Sequence, residues 1–400
     1  MDSLGLMKNS GSRSCDAPGG SRRLESLDVL RGFDMLFIMG FAALVVKACA
    51  CFGLGEGFWL VDQMEHVRWH GLAHHDTIFP LFLFIAGATF PFSCARQRER
   101  GRGDGAIALN VLRRAAILFV LGLVYDGLFA GTLRLGSVLG RIGVAWAAAA
   151  LLTLRIGWRA RVAVIAAILV GYWMFLWFVP APDRLSLAIP AGFEAFGNGP
   201  FSPTGNISGW LDRHFVPGVL GGVPGICDNQ SVLGCIPATA TALLGVAAGE
   251  WLYAGRGRAD GTRRDVILFA WGLGLLAAGL VVAHGFGEMS FPVNKKLWSS
   301  SFVLVVGAYS TCLLALFHWL IDVKGWWRHT LFFRVIGLNS ITIYLAQRAV
   351  GFERVNAFCF GGLASLMPSA WAEAFLALTY IVCCWCLLLF LHRNRIYLKV

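Results

Sequence analysis

Asp76-Thr77-Ile78-Phe79-Pro80-Leu81-Phe82-Leu83-Phe84-Ile85-Ala86-Gly87-Ala88-Thr89-Phe90-Pro91-Phe92-Ser93-Cys94-Ala95 carries no charge from Ile78 onward. A run of that length and apolarity predicts a helix able to cross a bilayer. Just upstream stands Gln63-Met64-Glu65-His66-Val67-Arg68-Trp69-His70-Gly71, and His74 and His75 follow before Asp76. Four imidazoles and a carboxylate thus crowd the place where a lipid-spanning helix meets water. Polar groups are costly there, so this boundary is the first place to look for chemistry.

The composition extends that reading to the whole chain. Of its 400 residues 57% are hydrophobic and 14% charged, and the mean hydropathy is +0.66. A soluble domain carries about 25% charged residues. The predicted class is therefore all-α: a polytopic helical membrane protein whose 48 glycines suit close helix packing in lipid. A net charge of +11 raises nucleic-acid binding, but the basic residues sit in short loops between apolar segments, which is a topological pattern. No nucleic-acid partner is expected.

Ten apolar segments can be drawn, at 28–50, 76–95, 108–130, 137–154, 160–179, 237–254, 265–284, 298–321, 331–351 and 371–391. The third holds Arg113 and Arg114 and the fourth holds Arg141, which weakens both. Lys and Arg alternate from loop to loop. The N-terminal stretch, the even-numbered loops and the C-terminal stretch hold 22 of the 34, against eight in the alternate loops. With about 10 transmembrane helices, both termini are then cytoplasmic. Residues 1–23 read as a disordered cytoplasmic tail without the apolar core of a signal peptide, and 24–400 as one transmembrane domain. His66 and a long loop at about 180–236 fall on the outer side. Apolar residues between the turn signals of that loop (Phe193, Phe196, Trp210, Phe215) predict a folded cover. Cys227 and Cys235 lie in it, and a disulfide and free thiols are both open readings.

Four groups of residues are candidates for function. Asp28 and Arg31 share a helix face and can pair, or Arg31 can meet the phosphate of an anionic cofactor with Arg113 and Arg114 beside it. Asp34 lies deeper, where a carboxylate needs a partner or a cavity. His66 is a candidate general base, with Asp76 to orient it or balance its charge. His66, His70 and His74 also follow a four-residue spacing that would suit a metal on a helix. Gly71 argues against a helix there, and no metal is expected. Asn294 and Lys295, next to Trp298, are either an interfacial anchor or a cofactor contact. Asn339 and Ser340 are either interhelical hydrogen bonders or cavity residues.

These blocks, taken in order, resemble the heparan-α-glucosaminide N-acetyltransferase family and its bacterial relatives. The resemblance rests on Ser26–Asp34, on His66-x-x-Trp69-x-Gly71 followed by Asp76-x-x-Phe79-Pro80, and on Leu233–Ala238. It continues through Pro292–Ser299, Asp322–Gly325 and Gly337–Ser340. The resemblance implies an enzyme moving an acetyl group from cytosolic acetyl-CoA to an amino sugar or glycan on the periplasmic or luminal side. His66 matches the catalytic histidine, as general base or as acetyl acceptor, and Asp76 joins it. Arg31, Arg113, Arg114, Asn294 and Lys295 would meet the cofactor, and Asp34, Trp69, Trp298, Asn339 and Ser340 would line the cavity. No asparagine occurs between Met35 and His66, where eukaryotic relatives carry one, so the acceptor is expected to differ. A bacterial inner membrane is the expected location, with lipid and a second copy of the chain as further partners. The competing class is a transporter or flippase of a glycan or lipid-linked sugar, which accounts for Asp34 but leaves the His66 block without a reason.

Overall fold

The computed structural model describes residues 24–398 except 128–132, 224 and 259, and the tail expected over 1–23 lies outside the described residues. The protein is all-helical, and among those residues nine helices are long and apolar enough to cross a membrane. They are α1 (Glu25–Ala50), α2 (His74–Glu99), α3 (Asp104–Asp126), α4 (Val138–Arg155) and α5 (Trp158–Phe178). After the outer-loop helix α6 (Ile207–Phe215) come α7 (Cys235–Ala254), α8 (Gly261–His284) and α9 (Ser300–Val323). The last is α13 (Ser369–Arg393). The arginines of the third and fourth segments do not interrupt those helices. This is an integral membrane protein.

The expectation of one continuous helix over 331–351 is corrected. The stretch is broken at Asn339 into α10 (Leu331–Leu338) and α11 (Ser340–Ala349), with α12 (Phe352–Ala364) following. Arg334 pairs with Glu25 at 3.3 Å, whereas the Ala370 carbonyl meets the Cys51 thiol at 3.4 Å. The chain therefore passes from one end of α1 to the other in three short pieces. Asn339 has non-helical angles (φ −122, ψ 27), and its side-chain amide finds no partner within the helix.

Contacts also gather the basic loops at one end of the bundle. Arg161 binds Glu250, Arg264 binds the Trp251 carbonyl, Arg256 covers Phe92 at 5.2 Å, and Asp322 accepts from the backbone of Ser26 at 3.1 Å. Asp322 thus satisfies amides left open at the start of α1 from the far end of α9. His392 and Tyr397 share a cavity wall with Glu25, so both described ends of the chain lie at this basic end.

The centre is set by backbone contact between α2 and α7. A Cβ on Gly87 would stand 2.1 Å from the Ala242 carbonyl oxygen, one on Gly245 2.1 Å from that of Phe84, and one on Gly249 2.2 Å from that of Ala88. Without glycine the helices could not approach so closely, and dispersion between their backbones would be lost. At the other end residues 181–234 do fold as a cover. Phe201, Ile207, Val223 and Ile226 pack on Trp69, Trp173 and Phe291, and Arg134 pins the loop through Asp228 at 3.3 Å. Cys227 and Cys235 are free thiols, so the disulfide reading is not met.

Replacing Gly87 by valine should lower stability by about 1–3 kcal/mol through overpacking. Gly274→Val is the control, since a Cβ there meets nothing within 4 Å. Thermal melting in detergent reads the difference, and equal melting of both variants would mean that the α2–α7 contact does not set the packing.

Candidate active site

Residues 64–73 form an extended, turning approach to α2, not a helix, so His66, His70 and His74 do not make a helical stripe. Gly71 adopts φ +121 and its amide donates to the Val293 carbonyl at 2.8 Å, tying this approach to the 292–299 segment. That angle is strained for any residue with a side chain. Asp76, in the first turn of α2, is 1% exposed and accepts from the amides of Val67 at 3.3 Å and Ala73 at 3.2 Å. Its other oxygen accepts from His66 Nδ1 at 2.7 Å and from Lys295 Nζ at 3.3 Å.

This arrangement assigns the His66 proton. An ionised carboxylate can only accept, so Nδ1 carries the hydrogen and Nε2 keeps its lone pair. The carboxylate also stabilises the imidazolium that forms when Nε2 takes a proton, the arrangement familiar from Ser-His-Asp sites. The His66 side chain is half exposed while that of Asp76 is sealed. Lys295 lies 3.2 Å from the same ring because both share one carboxylate oxygen. Burial lowers its ammonium pKa, more than the neighbouring Asp76 raises it.

His66 and Asp76 open on a cavity of about 610 Å³, the size of a small-molecule site. Arg68, Trp69, His75, Lys295 and Lys296 share its wall, and Ala191, Gly192 and Phe193 of the cover roof it. The Trp69 indole donates to the Phe201 carbonyl at 2.8 Å, which fixes the cover to the site. The His75 ring lies tilted against that of His66, with centroids 4.5 Å apart and planes at 57°.

A second cavity, of about 620 Å³, opens at the basic end. Arg31, Arg114 and Arg334 line it with Glu25, Asp28, Asn339, Ser340 and His392. Arg31 meets Asp28 at 3.3 Å, and Arg114 lies over the Trp146 ring at 4.8 Å. Between the cavities runs an apolar neck of about 40 Å³. Ile38, Phe79, Val138 and Tyr344 belong to both neck and outer cavity, and Phe82, Leu139, Ile142 and Ile341 to both neck and inner cavity. The neck thus shares walls with both spaces and lies between them.

Several expected site residues lie elsewhere. Lys295, expected beside a cofactor, stands with the histidine. Asn294 is fully buried and holds the 294–299 turn, accepting from the Leu297 amide at 2.9 Å and donating to His70 Nδ1 at 3.2 Å. Trp298 donates to Thr241 at 3.1 Å and packs edge-on against Phe79, so it supports the neck from behind. Arg113 and Asp34 are absent from both cavity walls, and Asp34 is buried with one oxygen unpartnered near Tyr309. The sequence analysis does not single out Arg68, Lys296, Arg334, His392 or Tyr397 as lining residues. The loop charges had been read as topology, which hid the inward-facing ones.

No protein-family profile matches the chain. It is 28% identical over 369 residues to human heparan-alpha-glucosaminide N-acetyltransferase, covering 81% of this chain and 52% of that protein. The mouse protein of the same name is 27% identical over 82% of this chain and 54% of its own length. The chain is homologous to these acetyltransferases and spans about half the length of the relatives it matches.

His70 offers a pH test. As acceptor for Asn294 its Nδ1 must be unprotonated, and burial lowers its pKa from 6.5 to about 4. Between those values the unfolded chain binds the extra proton, so this stabilisation is complete above about 6.5 and fades as pH falls toward 4. His70→Gln keeps an acceptor that does not titrate, and its melting temperature should fall less steeply over that window. Parallel curves would remove His70 from the account.

Proposed function

We propose that this chain is a transmembrane acetyltransferase using acetyl-CoA at the basic end and an amine-bearing sugar or glycan at the His66 end. The carrying observation is the alignment of three spaces: a cavity lined by guanidinium groups, an apolar neck, and a cavity that holds the His–Asp pair. Homology to acetyltransferases supports the reaction class. The homologues reported are mammalian, so the acceptor and the bacterial inner membrane rest on the sequence expectation.

The residues present fit acetyl-CoA. Arg31, Arg114 and Arg334 suit its phosphates, since guanidinium groups bind them through paired charge-assisted hydrogen bonds. Asn339 lines the inner cavity with both side-chain amide atoms buried and unpartnered. An unmet buried amide costs about 1–3 kcal/mol, and the amides of a pantetheine arm supply the matching donor and acceptor. From Ser93 in the inner cavity to Asp76, α2 rises ~25 Å at 1.5 Å per residue, the distance a donor entering at the basic end would span along the neck. Bound acetyl-CoA would supply the thioester, an acyl group activated toward an amine.

His66 Nε2 is the proton acceptor. It takes the proton from the amine as nitrogen bonds to the acetyl carbon, the C–S bond breaks, and the same imidazole returns a proton to the departing sulfur. Asp76 holds the ring in the required tautomer. Lys295 offers positive charge to the oxygen that becomes negative between those steps. Direct transfer needs only this one base; acetylation of His66 itself would add a second step at the same atom.

His66→Ala should reduce acetyl transfer from labelled acetyl-CoA by about 10²–10⁴-fold while leaving the melting temperature within a few degrees of the parent. Asp76→Asn should cost a comparable factor, since an amide can turn its N–H toward the ring and reverse the tautomer. Full turnover in His66→Ala would end this reading. Orientation is tested separately. A cysteine replacing Gly101 should react with a membrane-impermeant maleimide only after the cytoplasmic face is opened, and labelling of intact cells would invert the topology.

A further inference from the structure

The segment after α13 turns back over the inner cavity. At the end of the helix the Ile396 amide donates to the Leu391 carbonyl at 2.9 Å and the Arg395 amide to that of His392 at 3.1 Å. Arg395 occupies the left-handed region at φ +57. This is the hydrogen-bond pattern that closes helices ending in glycine, built here on an arginine, for which that conformation is disfavoured. The turn lays Tyr397 and Leu398 on the wall that also carries Arg31, Arg114 and Arg334. The Tyr397 hydroxyl meets His392 Nδ1 at 3.2 Å, and the rings stand edge to face with centroids 6.1 Å apart.

We infer that Tyr397 and His392 form an adenine-binding wall, so that residues 392–398 recognise the nucleotide half of the acetyl donor. This rests on the acetyl-CoA reading above and adds a subsite to it. The guanidiniums answer the phosphates and Asn339 answers the arm, which leaves the flat heteroaromatic base without a surface. Aromatic side chains provide one, because every base has a π face and stacking does not depend on its edge groups. The hydrogen bond to His392 orients the tyrosine ring.

Two measurements on purified full chain test this. Adenosine 3′,5′-bisphosphate, the nucleotide half alone, should bind the parent by calorimetry. Binding should weaken about tenfold or more in Tyr397→Ala and persist in Tyr397→Phe, which keeps the ring. In turnover, Tyr397→Ala should raise KM about tenfold for acetyl-CoA and leave KM unchanged for S-acetyl-4′-phosphopantetheine, which lacks the adenosine. A merely structural cap would affect both donors alike, and that result overturns the inference, as does a parent that does not bind the bisphosphate. Nucleotide binding lost in Tyr397→Ala without turnover in the parent would uphold the base site and sink the transferase reading instead.

Discussion

One buried carboxylate organises the end of this protein that carries His66. Asp76 sits in the first turn of a membrane helix, where the open amides and helix dipole favour negative charge. It gathers two backbone amides and an imidazole from the approach to its own helix and an ammonium from the distant 292–299 segment. Left alone, such a group would cost several kcal/mol in a medium without water. Satisfied four times over, it fixes the loop that carries His66, the turn that carries Lys295, and the protonation of the ring between them. The site is a consequence of meeting that electrostatic demand.

The rest of the bundle leaves room for the two cavities by packing elsewhere. Glycines at the α2–α7 crossing bring two backbones into contact, so the centre is dense on that side. On the opposite side of α2 the wall is made by α1, α4 and the broken pair α10–α11. The break at Asn339 prevents a continuous helix from filling the space and exposes an unpaired amide to the inner cavity. Close packing and a deliberate interruption are therefore complementary: one supplies cohesion without a hydrophobic effect, the other supplies the space.

Much of this was legible in the chain. The uncharged run after Asp76 announced a spanning helix, and the alternation of arginines announced loops that the structure gathers at one end. His66 and Asp76, ten residues apart, form the expected pair because the intervening turn at Gly71 reverses the approach. Arg31, Arg114, Asn339 and Ser340 line the inner cavity as their positions suggested. The helix over 331–351 was misread because apolar composition continues through Asn339, and composition does not register a backbone break. Arg334 was counted as a topological charge, and nothing in a loop's sequence distinguishes an arginine facing water from one facing a cavity.

The sequence by itself determined that this chain lives in a membrane as a set of helices, because burial in lipid leaves the backbone few alternatives to internal hydrogen bonding. It also singled out one boundary as unusual, since an imidazole and a carboxylate placed there are costly enough to be informative. Only the tertiary structure decided which groups share a site. It put Lys295 beside the histidine, set Arg113 and Asp34 apart from both cavities, and placed an apolar neck between those cavities. It also brought the stretch after the last helix to the cavity that the start of the first helix lines. Those assignments depend on which faces of distant helices meet, and that is settled by mutual packing rather than by any local pattern.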